Sequence, residues 1–422
     1  MTITGCMGFC CIRLADTAKA HTPEEGGRKM SQGKSKKVIA AGLLVMSLTM
    51  ACNSALAPIL AEVGKFFPDA SDSAIQIVLT LINLVTLPAM ILEPFLESKI
   101  TKRDIAMIGT FLMLAGALLP QVLSSQLWML YLSSIIIGVG LSFVVVTSSS
   151  LISDYFSGLE KSRIMGFQSI FVSIGGTIIA KGSGLLTAMA GWKRGYLVFL
   201  IALPIILIIL FTVPKGETTP RVEKGKGSAI SGSMVYFGIL CLITGIFVAT
   251  FNTNIAMYLD RKGIGDASTA GTVAAIMQVV GILGGLVLGT TVKIFKRFTI
   301  GAAILLMAAG TAMVGFSTSY PVICVGAVIV GFGFAIRNPG AVTFAANMVH
   351  PAQASLAIAI VSATYNVGNF ISAYVVNAMA SILGDDIANR FLVSAVALVV
   401  IGLVACIKAP TTDAQALDSQ GE

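Results

Sequence analysis

The sequence predicts an all-α membrane protein with twelve transmembrane helices in two six-helix bundles. Three observations carry that expectation. Hydrophobic residues make up 56% of the 422 positions and charged residues only 11%, where soluble chains carry about 25% charge. The apolar residues gather into runs long enough to cross a bilayer, which takes about 20 residues of helix. The second half of the chain echoes the first.

The runs fall, in order, at about 38–60, 74–92, 105–122, 128–152, 164–186, 195–213, 234–258, 268–292, 298–317, 322–348, 353–382 and 390–407. No charge occurs between Asp104 and Asp154, and the polar stretch from Pro120 to Gln126 divides that run into two spans. Ser317 to Pro321 divides the ninth span from the tenth in the same way. The 43 glycines and the prolines inside apolar runs are tolerated better in membrane helices than in soluble ones.

Lysine and arginine in short loops set orientation. Counting alternate connections, eighteen basic residues fall on the side of both termini and seven on the other. Both termini are therefore expected in the cytoplasm of a bacterium, with the protein multi-pass in its inner membrane. The net charge of +8 is this loop bias rather than a nucleic-acid surface. One polar connection of any length, 214–233, parts the chain. The expected organisation is a tail at 1–33, a bundle at 34–213, the cytoplasmic loop 214–233, a bundle at 234–408 and a tail at 409–422. Gly138-x-Gly140 recurs as Gly331-x-Gly333, and at the same offset Ser162 matches Ser355, Ser169 Ser362, Gly175 Gly368 and Ala180 Ala373. Asn53-Ser54 is echoed by Asn252-Thr253. A duplicated six-helix unit is one of the standard builds of transporters.

Four cysteines lie singly in apolar runs as small hydrophobes. Cys6, Cys10 and Cys11 form a cluster near the start without partner motifs for a metal or a lipid. The purine-rich codons implied by Glu24 to Lys29, just before Met30, fit a ribosome-binding site. The expectation is that 1–29 is an untranslated leader; a cytoplasmic tail is the alternative.

Residues 34–410 resemble the major facilitator superfamily. Its loop between helices 2 and 3 reads roughly G-x3-D-R-x-G-R-R. Here Glu93 to Arg103 occupies that place, with Glu97 at the acidic position, Lys102 and Arg103 at the basic end, and Glu93 and Ile100 instead of glycines. A second copy, Gly289 to Arg297, has Lys293 where the acid would stand. Leu151 to Phe156 with Arg163 and Gly166 resembles the helix 4–5 loop, and Trp192-Lys193-Arg194 the helix 5–6 junction. The resemblance implies that Glu97, Lys102, Arg103, Asp154, Arg163, Lys293 and Arg297 act in conformational gating, and that helices 1, 4, 7 and 10 line the cavity. Motifs of the drug-antiporter branch are mostly missing: Ile179-Ala180 and Ser183-Gly184 replace its Gly-Pro and Gly-Gly, and Ser134 its arginine.

Arg337 stands out, because a cation at mid-depth costs roughly 3 kcal/mol on insertion scales unless a cavity or partner receives it. It reads as the counter-charge for an anionic substrate, or else as a structural pair or a guanidinium on carbonyls freed near Pro339. Asn338 follows it. Lys181, near the outer end of its span, reads as a snorkelling residue. Asn53, Asn252, Asn254, Tyr365, Asn366 and Asn369 are further substrate-contact candidates, or polar glue between helices. No nucleophile set, metal cluster or P-loop appears in the spans, so neither enzyme chemistry nor ATP-driven pumping is expected, and no cofactor. The expectation is a monomeric secondary or facilitative carrier of a small organic solute, an organic anion above others, by alternating access. A drug or metabolite efflux antiporter is the alternative. With no carboxylate in helices 1, 4, 7 or 10, any coupling to a proton is expected to be weak, Glu93 being the nearest exception.

Overall fold

A computed structural model describes residues 35–156, 158–215, 232–295, 298–349, 354–384 and 386–407. Twelve helical spans make up these residues: α1 (Lys36–Phe66), α2 (Asp72–Glu97), α3 (Lys102–Val122), α4 (Leu127–Tyr155), α5 (Gly158–Ala190), α6 (Trp192–Thr212), α7 (Gly232–Arg261), α8 (Ala267–Phe295), α9 (Thr299–Phe316), α10 (Tyr320–Asn347), α11 (Ala354–Ile382) and α12 (Ala388–Ile407). Eleven of them are apolar and long enough to cross a bilayer among the described residues. The twelfth, α8, runs 29 residues, with a described apolar part at Ala267–Leu283. Residues 1–34, with the cysteine cluster, and residues 216–231 of the central connection lie outside the described residues.

Local chemistry sets the helix ends. The Ser71 hydroxyl accepts from the Ala74 N–H at the start of α2, and the Asp266 carboxylate accepts from the Thr269 N–H at the start of α8. Both satisfy backbone donors that a helix start leaves open. Gly191 and Gly263 take φ of +82° and +65° in the turns after α5 and α7, a region costly to side chains with a Cβ.

One end of the molecule carries the α1–α2, α5–α6, α7–α8 and α11–α12 connections, and is called the distal end below. The other carries the start of α1 and is called the terminal end.

The duplication is written in the packing. A Cβ built on Gly175 of α5 would fall 2.0 Å from the Leu48 carbonyl oxygen of α1. One built on Gly368 of α11 would fall 2.1 Å from the Leu242 carbonyl oxygen of α7. Gly138 meets the Ile82 carbonyl of α2, and Gly331 that of Met277 of α8. Small residues permit these close backbone approaches, which hold membrane helices together where no hydrophobic effect drives them. Equivalent helices thus meet at equivalent glycines.

The halves differ in one respect. α7 is regular throughout, whereas α1 holds to α-geometry only over Lys36–Ser47 and Leu60–Phe66. Between them lie 3₁₀ turns at Cys52–Ala55 and Ala57–Ile59, the latter around Pro58. Irregular backbone at membrane depth survives only where protein or a wet cavity receives its polar groups. The opposite outcome holds at Pro339: it sits inside a continuous α10, with the Thr343 hydroxyl donating to its carbonyl at 2.9 Å.

Polar ties between the halves gather toward the distal end. Asp72 of α2 receives both arms of Arg261 from α7, at 2.7 and 2.5 Å, and also Arg390 from α12. Arg390 donates to Asn254 at 2.9 Å, which also accepts from Gln76 at 2.7 Å. Asn377 of α11 donates to Ser73 and Gln76, and Lys65 pairs with Asp260 at 2.5 Å. Lys181 donates to the Ser268 hydroxyl and carbonyl, each at 3.4 Å, and to Thr272. It therefore bridges α5 to α8 rather than snorkelling.

Candidate functional site

A cavity of about 270 Å³ lies between the halves. Its wall comes from α1 (Asn53, Ser54), α2 (Thr80, Asn83), α7 (Asn252, Thr253), α8 (Gln278) and α11 (Asn369), with Met50, Val172, Met277 and Phe334 as apolar patches. Five carboxamides and three hydroxyls face it, and none of the residues lining it carries a charge. Such a surface hydrogen-bonds a solute from both sides, since every carboxamide offers donors and an acceptor.

The sequence explains how these side chains converge. Gln76, Thr80 and Asn83 recur at i, i+4 and i+7, one face of α2. Thr80 and Asn83 reach the cavity, while Gln76, one turn higher, closes it distally through Asn254 and Asn377. Asn53 and Ser54, in the 3₁₀ segment of α1, both line the wall. Gln278 then donates to Ser54 at 3.0 Å, across the two halves.

The expected substrate contacts divide. Asn53, Asn252 and Asn369 line the cavity. Asn254 does not: it is 1% exposed and saturated by Gln76, Arg390, Thr250 and Thr253, so it ties the halves together. Asn366 and Asn338 are not among the lining residues, and Asn338 is exposed. Arg337 is 2% exposed and does not reach the wall either. It lies one turn beyond Phe334 toward the terminal end. There its guanidinium stacks on Tyr365 with 4.0 Å to the ring centroid, while Nη1 donates to Asn338 at 3.2 Å. Its Nη2 has no hydrogen-bond partner among the described residues. Tyr365 likewise lies one turn below Asn369.

Helices 1, 7 and 10 contribute to the cavity as expected, but α4 contributes no lining residue; α2, α8 and α11 do. Asn83 and Gln278 were therefore missed. The signal that finds them is a lone carboxamide inside an apolar span, which bilayers make expensive and which therefore faces an interior.

Among the expected gating residues, Lys102 bonds to Asp154 at 2.6 Å and lies 3.9 Å from Glu97, joining α2, α3 and α4 at the terminal end. Arg103 pairs instead with its neighbour Asp104 at 3.4 Å. Arg163 is exposed on α5. The side chain of Lys293 and all of Arg297 lie outside the described residues.

Comparison with known proteins agrees with this architecture. The chain is 28% identical to the riboflavin transporter RibZ of Clostridioides difficile (strain 630) over 172 residues, 40% of this chain and 37% of that protein. It is 23% identical to multidrug resistance protein 1 of Bacillus subtilis (strain 168) over 232 residues, 51% and 58% of the two chains. Both matches thus span less than two thirds of the relative. Among solved structures, a variant of the nucleoside transporter NupG superposes with a TM-score of 0.75 at 14% identity, covering 87% of this chain and 98% of the other. The inward-open xylose transporter XylE from E. coli gives 0.72 at 15% identity, covering 89% and 96%. At those identities the likeness is one of fold. The model of the Major Facilitator Superfamily matches residues 39–299 and 239–422, and with the duplicated packing already described this chain belongs to that superfamily of membrane transporters.

Proposed function

We propose that this protein is a secondary carrier of a small, neutral, hydrogen-bonding organic solute, working by alternating access across a bacterial inner membrane with both termini cytoplasmic. The observation that carries the reading is the cavity wall: five carboxamides and three hydroxyls, no charged lining residue, and Phe334 and Met277 as apolar faces. A charged solute placed there would lose its hydration without a countercharge. A flat, polar heterocycle or a polyol would exchange water for amides at little cost. The relative named as a riboflavin transporter supports the same chemistry. With the termini inside, the tied distal end faces outward, so the conformer is closed to the exterior. The monomer, with bundles at 34–213 and 234–408, is the working unit.

A second reading, carriage of an organic anion, is favoured by one observation: Arg337 is buried with an unpartnered Nη2 and with no carboxylate bonded to it among the described residues. It requires the guanidinium to turn into the cavity in another conformer. The drug-efflux alternative has the second relative's name in its favour and the absence of a carboxylate in the cavity wall against it.

The test is uptake into proteoliposomes from a panel of nucleosides, flavins, sugars and organic acids, with Asn83→Leu, Asn252→Leu and Arg337→Ala beside the wild type. The neutral-solute reading expects the two asparagine variants to lose at least tenfold in affinity, about 1.4 kcal/mol for two or more lost hydrogen bonds. It expects Arg337→Ala to retain affinity. Selective uptake of acids that disappears in Arg337→Ala, with partial binding kept in Arg337→Lys, would establish the anion reading in its place.

A further inference from the structure

Glu93 lies near the terminal end of α2, away from the cavity, and is 0% exposed. Its Oε1 accepts from the Thr147 hydroxyl of α4 at 2.7 Å. Its Oε2 is buried with no partner among the described residues. One turn further along α2 stands Glu97, and the groups that act on Glu93 through space are Glu97 and Lys102. The ammonium of Lys102 is hydrogen-bonded to Asp154 and close to Glu97. Lys102 is thus held by Asp154 and Glu97, and Glu97 stands one turn from Glu93.

An ionised carboxylate with one neutral donor and a bare second oxygen, buried to exclusion of water, is strongly disfavoured; such a group takes up a proton instead. One carboxylate and one hydroxyl are too few ligands for a calcium or magnesium ion, which takes six or more oxygens. No group of three or more metal-ligating side chains occurs among the described residues. A proton is the ligand that this site fits.

Resting on the carrier reading, we propose that Glu93 is the proton-binding site of this transporter and that its ionisation governs the lock at the terminal end. In the conformer seen here the carboxyl is protonated and the Lys102–Asp154 bond is intact. When the α2–α4 seam hydrates, the O–H bond of Glu93 breaks and the proton leaves to cytoplasmic water. The new carboxylate then competes with Asp154 for Lys102, loosening the tie between α3 and α4. Protonation restores it. Because this carboxyl exchanges its proton with cytoplasmic water, the cytoplasmic pH sets the state of that tie, although no carboxylate lines the cavity.

The test uses the full-length protein in lipid. Infrared difference spectra across a pH titration are expected to show a protonated-carboxyl C=O band that vanishes as the pH rises and is missing in Glu93→Gln. Thr147→Val removes the donor that stabilises the ionised form, so the band should persist to a pH about one unit higher. In parallel, Asn83→Cys in a background without native cysteines is labelled from outside with an impermeant maleimide. The labelling rate should change with pH when Glu93 is present and be flat in Glu93→Gln. An unaltered band in Glu93→Gln overturns the proposal, as does a labelling profile that Glu93→Gln leaves unchanged. If Glu93→Gln does not fold, an unmoved band in Thr147→Val overturns it. Neither readout needs a substrate, so failure of the carrier reading would appear separately, as no uptake of any solute in the panel.

Discussion

Replacing Asp72 with asparagine attacks the distal closure at its centre. Asp72 receives both arms of Arg261 and one nitrogen of Arg390, so one side chain of the first half holds two helices of the second. Arg261 has its side chain 47% exposed, and an exposed ion pair contributes about 0.5 kcal/mol. Arg390 is 13% exposed against 17% for Asp72, and a hydrogen bond to a charged group at that depth contributes about 1.5 kcal/mol or more. Asparagine keeps an acceptor but leaves two guanidinium groups facing each other without their counter-ion. A loss of about 2 kcal/mol from the closed state shifts the equilibrium toward the distally open one about 30-fold. The assay is the rate at which Asn83→Cys, in the cavity, reacts with an impermeant maleimide supplied from outside. Asp72→Asn should raise that rate at least tenfold, and Asp72→Glu much less. An unchanged rate in a folded Asp72→Asn protein would refute the idea that these ties hold the distal end shut.

Two further outcomes are expected. Gly175→Ala and Gly368→Ala each drive a Cβ into a backbone carbonyl of α1 or α7, so each should cost about 1–3 kcal/mol in thermal unfolding. Gly166→Ala, where a Cβ meets nothing within 4 Å, should be neutral or slightly stabilising; equal melting of all three would show that close approach does not carry the repeat. The carboxyl of Asp386 lies below the usual range because Lys262 bonds to it, with the Ala388 N–H adding to the effect. A depressed folded-state value contributes stability above the ordinary carboxylate range that is lost as pH falls through the folded value. The stability gap between wild type and Lys262→Met should therefore be present at neutral pH, about 0.5 kcal/mol for so exposed a pair, and should close only below pH ~4.

The architecture was legible because two of its causes are written in single residues. Span length and loop charge follow directly from composition, and the glycine offset reports contacts that only small residues allow. The site was less legible. Asn53, Asn252 and Asn369 were found because they interrupt apolar runs, yet Asn254 interrupts one just as visibly and binds Gln76 and Arg390 instead. A carboxamide in a span shows that it faces an interior, and its partner decides which interior. Those partners lie 178 and 136 positions away, beyond any local pattern. Arg337 marks a similar limit: a mid-span cation signals that something must receive it, but not that an aromatic face rather than an acid does so. Glu93 was recognised as an outlier; its enclosure by Thr147 was not, since that depends on the packing of α2 on α4.

The 3₁₀ turns of α1 also change its heading around its own axis. A 3₁₀ residue advances about 120° where an α-residue advances about 100°, so the seven residues of the two turns add about 140° of rotation. A stripe of side chains leaving Lys36–Ser47 therefore does not continue in register along Leu60–Phe66. The contacts follow the rotation. Lys36–Ser47 packs on α4, α5 and α6 of its own half; Ala57–Ile59 keeps α5 but adds α7 and α8, and Leu60–Phe66 touches α2 of its own half but adds α7. α1 thus belongs to one bundle at its start and leans on the other at its end, and any motion that parts the bundles must act first on the swivel between them.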